Sequence, residues 1–387
     1  MTKILISAGE VSGDLHAANL VSALKRLDPS LRFFGLGSEK MASVGVDVLF
    51  DISRCASVGL TESLPGFFPV YQTYRQTVNL LKQERPDVFL AVDSQGINLP
   101  LCFAAKKLGL KTVYYISPQE WLWGTPRGVK KVISAVDLIV AIFEKEYETY
   151  KRAGGNVVYF GHPLLDLASS PLSRAAARHR YLGNNYDDKK PLIALCPGSR
   201  RQELQNLLPI FVRTAAIIKH SLPDVDFIMP VASSYALSKI SSFLPQPPLR
   251  IIQGNTYEIL TACDLAICAS GTINLEASLL GVPNIMAYKL SPLSYFIGKY
   301  FLKIPDKLPY FSMPNLLLNK PTLPEFLRGE ARPEKIAPVA IALLQDQTMR
   351  NSMLADFVEL KKLLGSPGAV AHCAAAILNF IKQTACR

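Results

Sequence analysis

The chain has 387 residues, 49% of them hydrophobic, and 42 Lys and Arg against 31 Asp and Glu, giving a formal charge of +11. That length exceeds one core of ordinary size and fits two domains, and the longest apolar run, Leu138 to Phe143, has strand length, which excludes a membrane-spanning helix. The positive surplus calls for an anionic partner; because Lys and Arg are spread along the chain and no nucleic-acid motif is present, a membrane surface plus a phosphorylated ligand fits better than nucleic acid.

At the amino terminus, KILISAGE carries one lysine and an apolar run that stops at Glu10, too short for a secretory leader, so it reads as a first strand in a cytoplasmic protein. Seven cysteines form an odd set without a C-x-x-C pair, which predicts reduced, buried thiols and neither disulfides nor zinc. The five histidines lack ligand spacing, and no metal or other cofactor is expected. Asp224-Val225-Asp226 matches a short metal-binding pattern but straddles a turn and a strand start, the wrong context for one.

Strand-type runs at Ile4 to Ala8, Arg32 to Leu36, Val88 to Val92, Thr112 to Ile116, Leu138 to Phe143 and Val157 to Phe160 alternate with helical segments. The rhythm restarts at Leu192 and continues through Asp226 to Pro230, Leu249 to Ile252, Leu265 to Ala269 and Pro283 to Met286. The fold class is therefore α/β, with two doubly wound parallel sheets of Rossmann-like type in residues 1–168 and 191–336, a polar linker at 169–190, and helices at 337–387 that cap the assembly, cross back or mediate dimer contacts. Two such domains facing one another are expected to enclose a cleft that holds the active site.

Two motifs sit where strands give way to helices. Cys196-Pro197-Gly198-Ser199-Arg200 follows PLIAL, and Ser270-Gly271-Thr272 follows DLAICA. Glycines allow close backbone approach, the following helix N-H groups and hydroxyls donate to phosphate oxygens, and Arg200 adds a positive fork. Glu276, one turn beyond Thr272, suits a pair of ribose hydroxyls. Together they read as a site for a nucleotide diphosphate whose sugar is the cargo; ordinary turn and N-cap chemistry is the alternative for each alone. In the first half, Asp93 ends VFLAVD, a position that suits either a general base or a helix N-cap. Trp121 and Trp123 fit either a core or an aromatic wall for sugar.

In order, GEVSGD from Gly9, the Asp93 strand end, SPQEWLWG from Ser117, GHPLLD from Gly161, CPGSRRQE from Cys196, ASGTINLEA from Ala269 and SMPNLL from Ser312 closely resemble the lipid-A-disaccharide synthase family, membrane-associated inverting glycosyltransferases of the GT-B type. The likeness covers nearly the whole chain. It implies transfer of diacylglucosamine from UDP-diacylglucosamine to the 6-hydroxyl of an acylated glucosamine phosphate, diacylglucosamine 1-phosphate. It also implies UDP in the second domain, the acceptor in the first, and peripheral association with the inner membrane. Carried over residue by residue, it makes Asp93 the base and assigns Gly198, Ser199, Arg200, Glu203, Ser270, Gly271, Thr272, Glu276 and Asn315 to the UDP-sugar. Glu10, Ser12, Gly13, Asn98 and His162 fall on the acceptor side. Relatives commonly continue after the base with a Pro-Asp-Phe-Asn type of sequence, where this chain has Ser94-Gln95-Gly96-Ile97-Asn98. The loss of a second carboxylate leaves a related transferase with another lipid or glycan acceptor as an alternative, and a UDP-sugar 2-epimerase is a second.

Two apolar segments suit a bilayer surface. Val58 to Tyr71 places Phe67 and Phe68 between prolines, read as a loop that touches lipid. Leu293, Phe296, Ile297, Tyr300 and Phe301 form a helical stripe flanked by Lys299 and Lys303, which suits a core or a homodimer interface better than lipid.

Overall fold

The structure, a computed structural model, describes residues 2–51, 64–198, 201–231, 240, 249–289 and 309–385. It resolves into two compact units, one of Met1–Asp166 with Leu364–Arg387 and the other of Leu167–Leu363.

In the first unit, strands β1 (Lys3–Ala8), β2 (Arg32–Gly37), β3 (Asp47–Asp51), β4 (Val88–Val92), β5 (Lys111–Tyr115), β6 (Leu138–Ala141) and β7 (Val157–Tyr159) form one parallel sheet in the order β3-β2-β1-β4-β5-β6-β7. Strand order reverses between β1 and β4, the topological switch point where open α/β sheets hold ligands. The central strands are buried on both faces, which explains why KILISA and VFLAV read as near-continuous apolar runs. β3 escaped sequence reading because its DVLFD alternates exposed and half-buried residues at the sheet edge.

The second unit repeats the plan with β8 (Leu192–Cys196), β9 (Asp226–Val231), β10 (Leu249–Gln253), β11 (Leu265–Ala269), β12 (Asn284–Tyr288) and β13 (Glu325–Leu327), all parallel, in the order β10-β9-β8-β11-β12-β13. Along β8, Ile193 and Leu195 enter the core on one face, while Leu192, Ala194 and Cys196 enter the core on the other. Here the switch point lies between β8 and β11, which pair Cys196 with Cys268. It falls directly beneath the two motifs singled out from sequence.

The segment 169–190 is not a linker. Its helix Arg174–Leu182 packs against the second sheet, and Arg178, 1% exposed, donates to Asp264 Oδ2 (2.6 Å), Ala262 O (2.9 Å), Lys190 O (3.1 Å) and Asp188 O. Arg174 also pairs with Asp264, whose Oδ2 accepts from Leu192 N at 2.9 Å. Polarity suggested solvent, but here the charges are consumed internally.

The tail 337–387 likewise divides. Helices Pro333–Gln345 and Gln347–Leu363 complete the second unit, through Ile336, Ala337, Ala340, Leu343 and Phe357 in its core. The last helix, Ala369–Ala385, belongs to the first unit, where the Asp166 carboxylate accepts from Val370 N (2.8 Å) and Gly368 N and so caps its amino end.

Phe67 and Phe68 lie in a helix, Leu64–Glu84, and not in a loop, although their side chains fall outside the described residues. Pro65 sits in the first turn, where a helix tolerates proline. One turn beyond Phe67, Tyr71 is 47% exposed. The stripe from Leu293 to Phe301 lies outside the described residues, as do Ser199 and Arg200. Among the described residues no helix is long and apolar enough to cross a membrane, and no cluster of three or more His, Cys, Asp or Glu is placed to hold a metal.

Candidate active site

In the first unit the turn after β1 packs on the turn after β4. A methyl on Gly9 would lie 2.4 Å from Ser94 Cβ, so only glycine lets the two turns approach this closely. Glu10 is the residue before the helix Val11–Leu27, Ser12 is half-buried in its first turn, and the position a Gly13 Cβ would take lies 3.7 Å from Asp93 Cβ. Gly13 therefore lies beside Asp93, with Glu10 and Ser12 in the same strand-to-helix turn. Asp14, by contrast, turns away and accepts from Ser38 N (2.7 Å) and Lys40 N (3.0 Å), fixing the turn after β2.

Asp93 is half-buried and has left-handed backbone, φ 54°, followed by Ser94 at φ 49°. Next door, at the end of β5, Ile116 has φ 58°, an outlier for a β-branched residue. Three left-handed non-glycine residues at two adjacent strand ends concentrate strain of about 1–3 kcal/mol each at one edge of the sheet, the pattern of a functional site.

Asn98 does not face an acceptor. It is fully buried, with Nδ2 3.1 Å from Ser7 O, 3.0 Å from Val92 O and 2.8 Å from Asp93 O, while its Oδ1 accepts from Ser7 Oγ at 2.6 Å. The Tyr114 hydroxyl also donates to Asp93 O, at 2.8 Å.

His162 too is enclosed: Nδ1 accepts from Leu164 N at 3.1 Å, and the ring packs on Phe143 with centroids 4.9 Å apart. Burial, and then its neighbour His16, hold His162 down to about 3, so it is neutral and unsuited to giving a proton near neutrality. Trp121 also packs on Phe143, with centroids 5.7 Å apart.

Sequence reasoning missed Glu146. This fully buried carboxyl accepts from Ser117 Oγ, Ile142 N (2.9 Å) and Phe143 N (3.3 Å), joining the turns after β5 and β6. Burial, which outweighs those bonds, pushes it up to about 8, with the Asp93 charge adding to the rise.

In the second unit, Gly198 ends the turn after β8 with φ 99°, and a Cβ there would lie 2.2 Å from Glu203 Oε2. Glu203 is buried, in the first turn of the helix Arg201–Ser221, and lies against this turn. Across the switch point, Gly271 at φ 153° caps the helix Thr272–Leu279, with Ser270 half-buried and Gly271 and Thr272 exposed. Glu276 lies one turn on. Tyr257, unnoticed in the sequence, points its hydroxyl at Glu276 Oε1 (3.4 Å), and burial pushes Glu276 up to about 7 against the lowering pull of the Tyr257 and Thr272 bonds.

Asn315 is 1% exposed and turned inward: Nδ2 donates to Leu323 O (2.9 Å) and Glu325 Oε1 (2.8 Å), and Oδ1 accepts from Leu323 N (2.7 Å). Both of its amide hydrogens are spent in tying the SMPN segment to the stretch from Leu323 to Glu325.

Two parallel sheets of doubly wound type, each with glycine turns at its switch point, are the building plan of the GT-B class. Residues 4–367 match the family model described as lipid-A-disaccharide synthetase. The lipid-A-disaccharide synthase of Syntrophus aciditrophicus strain SB is 37% identical over 99% of both chains, and that of Coxiella burnetii strain CbuG_Q212 is 35% identical over 98% of both. The chain belongs to the lipid-A-disaccharide synthase family. Among solved structures the fold is shared with a Staphylococcus aureus MnaA–UDP co-structure (TM-score 0.64, 13% identity, covering 99% of this chain and 96% of that one) and with Acinetobacter baumannii MurG (TM-score 0.53, 14% identity, 98% and 100%).

Proposed function

We propose that the enzyme transfers 2,3-diacylglucosamine from its UDP derivative to 2,3-diacylglucosamine 1-phosphate with inversion, the acceptor held by the first unit and the UDP-sugar by the second. The observation that carries this is Asp93, a carboxylate held in left-handed backbone at the β1/β4 switch point. Its oxygen takes the proton of the acceptor 6-hydroxyl as that oxygen bonds the anomeric carbon from the face opposite UDP. The bond from that carbon to the β-phosphate oxygen breaks, and UDP departs with the electron pair. The amino ends of the helices beginning at Arg201 and Thr272, together with Ser199 and Arg200, stabilise the developing charge without a metal. The S. aureus neighbour with UDP bound supports a nucleotide site on this fold. Incubation with both lipids, with and without EDTA, and mass spectrometry for the disaccharide tests the reading. Dependence on added Mg²⁺ or Mn²⁺ would remove the metal-free part, and absence of product would remove the assignment of substrates.

Glu276 makes donor binding sensitive to pH. As the acceptor of ribose hydroxyls it must be ionised, and burial pushes its pKa up to about 7. UDP affinity should therefore rise as pH climbs through that value and level off above it. Glu276→Gln should weaken UDP by about 10- to 100-fold on the alkaline side, the worth of a charged hydrogen bond, and flatten the dependence. Calorimetric titrations of UDP across that range decide it; an unchanged pH profile in the variant would place the ribose elsewhere.

Substrates with two acyl chains reside in a bilayer, and the amino-terminal turns of the helix Leu64–Glu84 are the proposed point of peripheral contact with the inner-membrane surface. Each Phe contributes about 1.5–3 kcal/mol on leaving water. Phe67→Ser with Phe68→Ser should reduce co-sedimentation with anionic vesicles while UDP binding persists. Loss of folding would instead mark the pair as core.

A further inference from the structure

The turn that presents Asp93 is held in a conformation its residues do not favour, and the holding groups are few. Asp93 and Ser94 lie at φ 54° and 49°. Ser94, the residue before the helix Gln95–Lys107, makes no side-chain cap. The fixing bonds come from Asn98, fully buried, whose amide reaches Val92 O and Asp93 O on β4 and Ser7 O on β1. Three acceptors exceed its two amide hydrogens, so at least one hydrogen is shared. Ser7 Oγ completes the clamp by donating to Asn98 Oδ1, and Tyr114, from β5, adds a second donor to Asp93 O. Two side-chain donors, one from the helix and one from β5, thus converge on one carbonyl, that of the proposed base.

The same device recurs in the second unit. Asn274, also fully buried, lies five residues after the last residue of β11, where Asn98 lies six after the last residue of β4, and its Nδ2 donates to Ala269 O at 2.7 Å. Each unit therefore places an asparagine near the start of the helix that follows its switch-point turn, bonded back to the turn's main chain. An apolar side chain at either position would fill the space but leave those buried carbonyls without this donor, which is the physical reason for an amide there.

We infer that Asn98 is a positioning residue for the transfer reaction: with Ser7 and Tyr114 it sets the left-handed Asp93 turn and so aims the base at the acceptor hydroxyl. This rests on Asp93 being the base, and it goes beyond that reading by giving Asn98 no contact with substrate. Small misplacement of a reacting group costs up to about 10²-fold in rate. The loss should therefore fall on kcat and spare the KM of both lipids.

The test compares Asn98→Ala, Tyr114→Phe and Asp93→Asn in the full chain, with thermal unfolding, UDP affinity, and kcat and KM measured for each. Tyr114→Phe is the mild variant, because Asp93 O keeps the Asn98 donor and no buried carbonyl is orphaned. Expected are a kcat lowered about tenfold in Tyr114→Phe and about 10²-fold in Asn98→Ala, with KM and UDP affinity within about twofold of the parent. In the Asp93→Asn background, Tyr114→Phe should cost nothing further, since the group it aims is gone. Asn284→Ala is the control, removing a buried amide's bond to a main-chain oxygen, Val282 O, at the amino end of β12 and away from both switch-point turns, and it should leave kcat within about twofold at saturating donor. The inference is overturned if Tyr114→Phe turns over like the parent, if its loss persists undiminished in the Asp93→Asn background, or if Asn284→Ala lowers kcat to the same extent. Should Asn98→Ala not fold, Tyr114→Phe alone decides. Near-normal turnover by Asp93→Asn would instead sink the assignment of the base itself.

Discussion

Asp93→Asn should lower turnover by about 10²- to 10⁴-fold, the range for loss of a general base, and leave UDP affinity unchanged. The substitution is close to isosteric, and asparagine tolerates left-handed backbone as well as aspartate does, so the turn at φ 54° should survive. The bonds from Asn98 and Tyr114 end on the main-chain oxygen and are indifferent to the change. What is lost is the carboxylate's ability to accept the acceptor proton. Single-turnover measurement with both lipids checks this, and near-normal turnover with chemistry still rate-limiting would show that another group is the base.

The largest effect on stability is expected from Arg178→Met. Arg178 is enclosed among Asp264 and three backbone carbonyls, and Met would leave Ala262 O and Lys190 O without that donor and Asp264 with a diminished set of partners. Breaking a buried ion pair from one side costs about 3–5 kcal/mol. For a unit spanning Leu167–Leu363 that corresponds to a fall in Tm of about 6–20 °C. Removing Lys3, which pairs with Glu84 at 3.3 Å with both side chains about half exposed, should cost no more than about 1 kcal/mol. Differential scanning calorimetry of the two variants makes the comparison; equal small shifts would mean that the second unit relaxes around the missing guanidinium.

Residues that need only their near neighbours were legible. KILISA, VFLAV, LIALC and LAICA read as buried strands because both faces of each are covered, and the glycine turns after β8 and β11 were located because strand end, glycine and helix start follow one another in the chain. The short edge strands β3 and β13 were not read as strands, since three to five half-exposed residues carry little periodic signal. The helix through Phe67 was read as a loop on the strength of two prolines, one of which lies in a first turn that accepts it. Glu146 and Tyr257 drew no reading, because the partners that give them a role, Ser117 and Glu276, stand 29 and 19 residues away.

The sequence by itself determined two doubly wound sheets, the turns at their switch points and the family to which those turns belong, because strand burial, glycine turns and helix starts are properties of short contiguous segments. Only the tertiary structure decided which polar side chains look outward to a ligand and which look inward to the backbone. Asn98 and Asn315 read as ligand contacts and are instead bonded to the chain, and the partner that settles Asn98, Ser7, stands 91 residues away. A side chain's polarity is fixed by its own atoms, but whether that polarity is spent depends on donors and acceptors that only folding brings within hydrogen-bond reach.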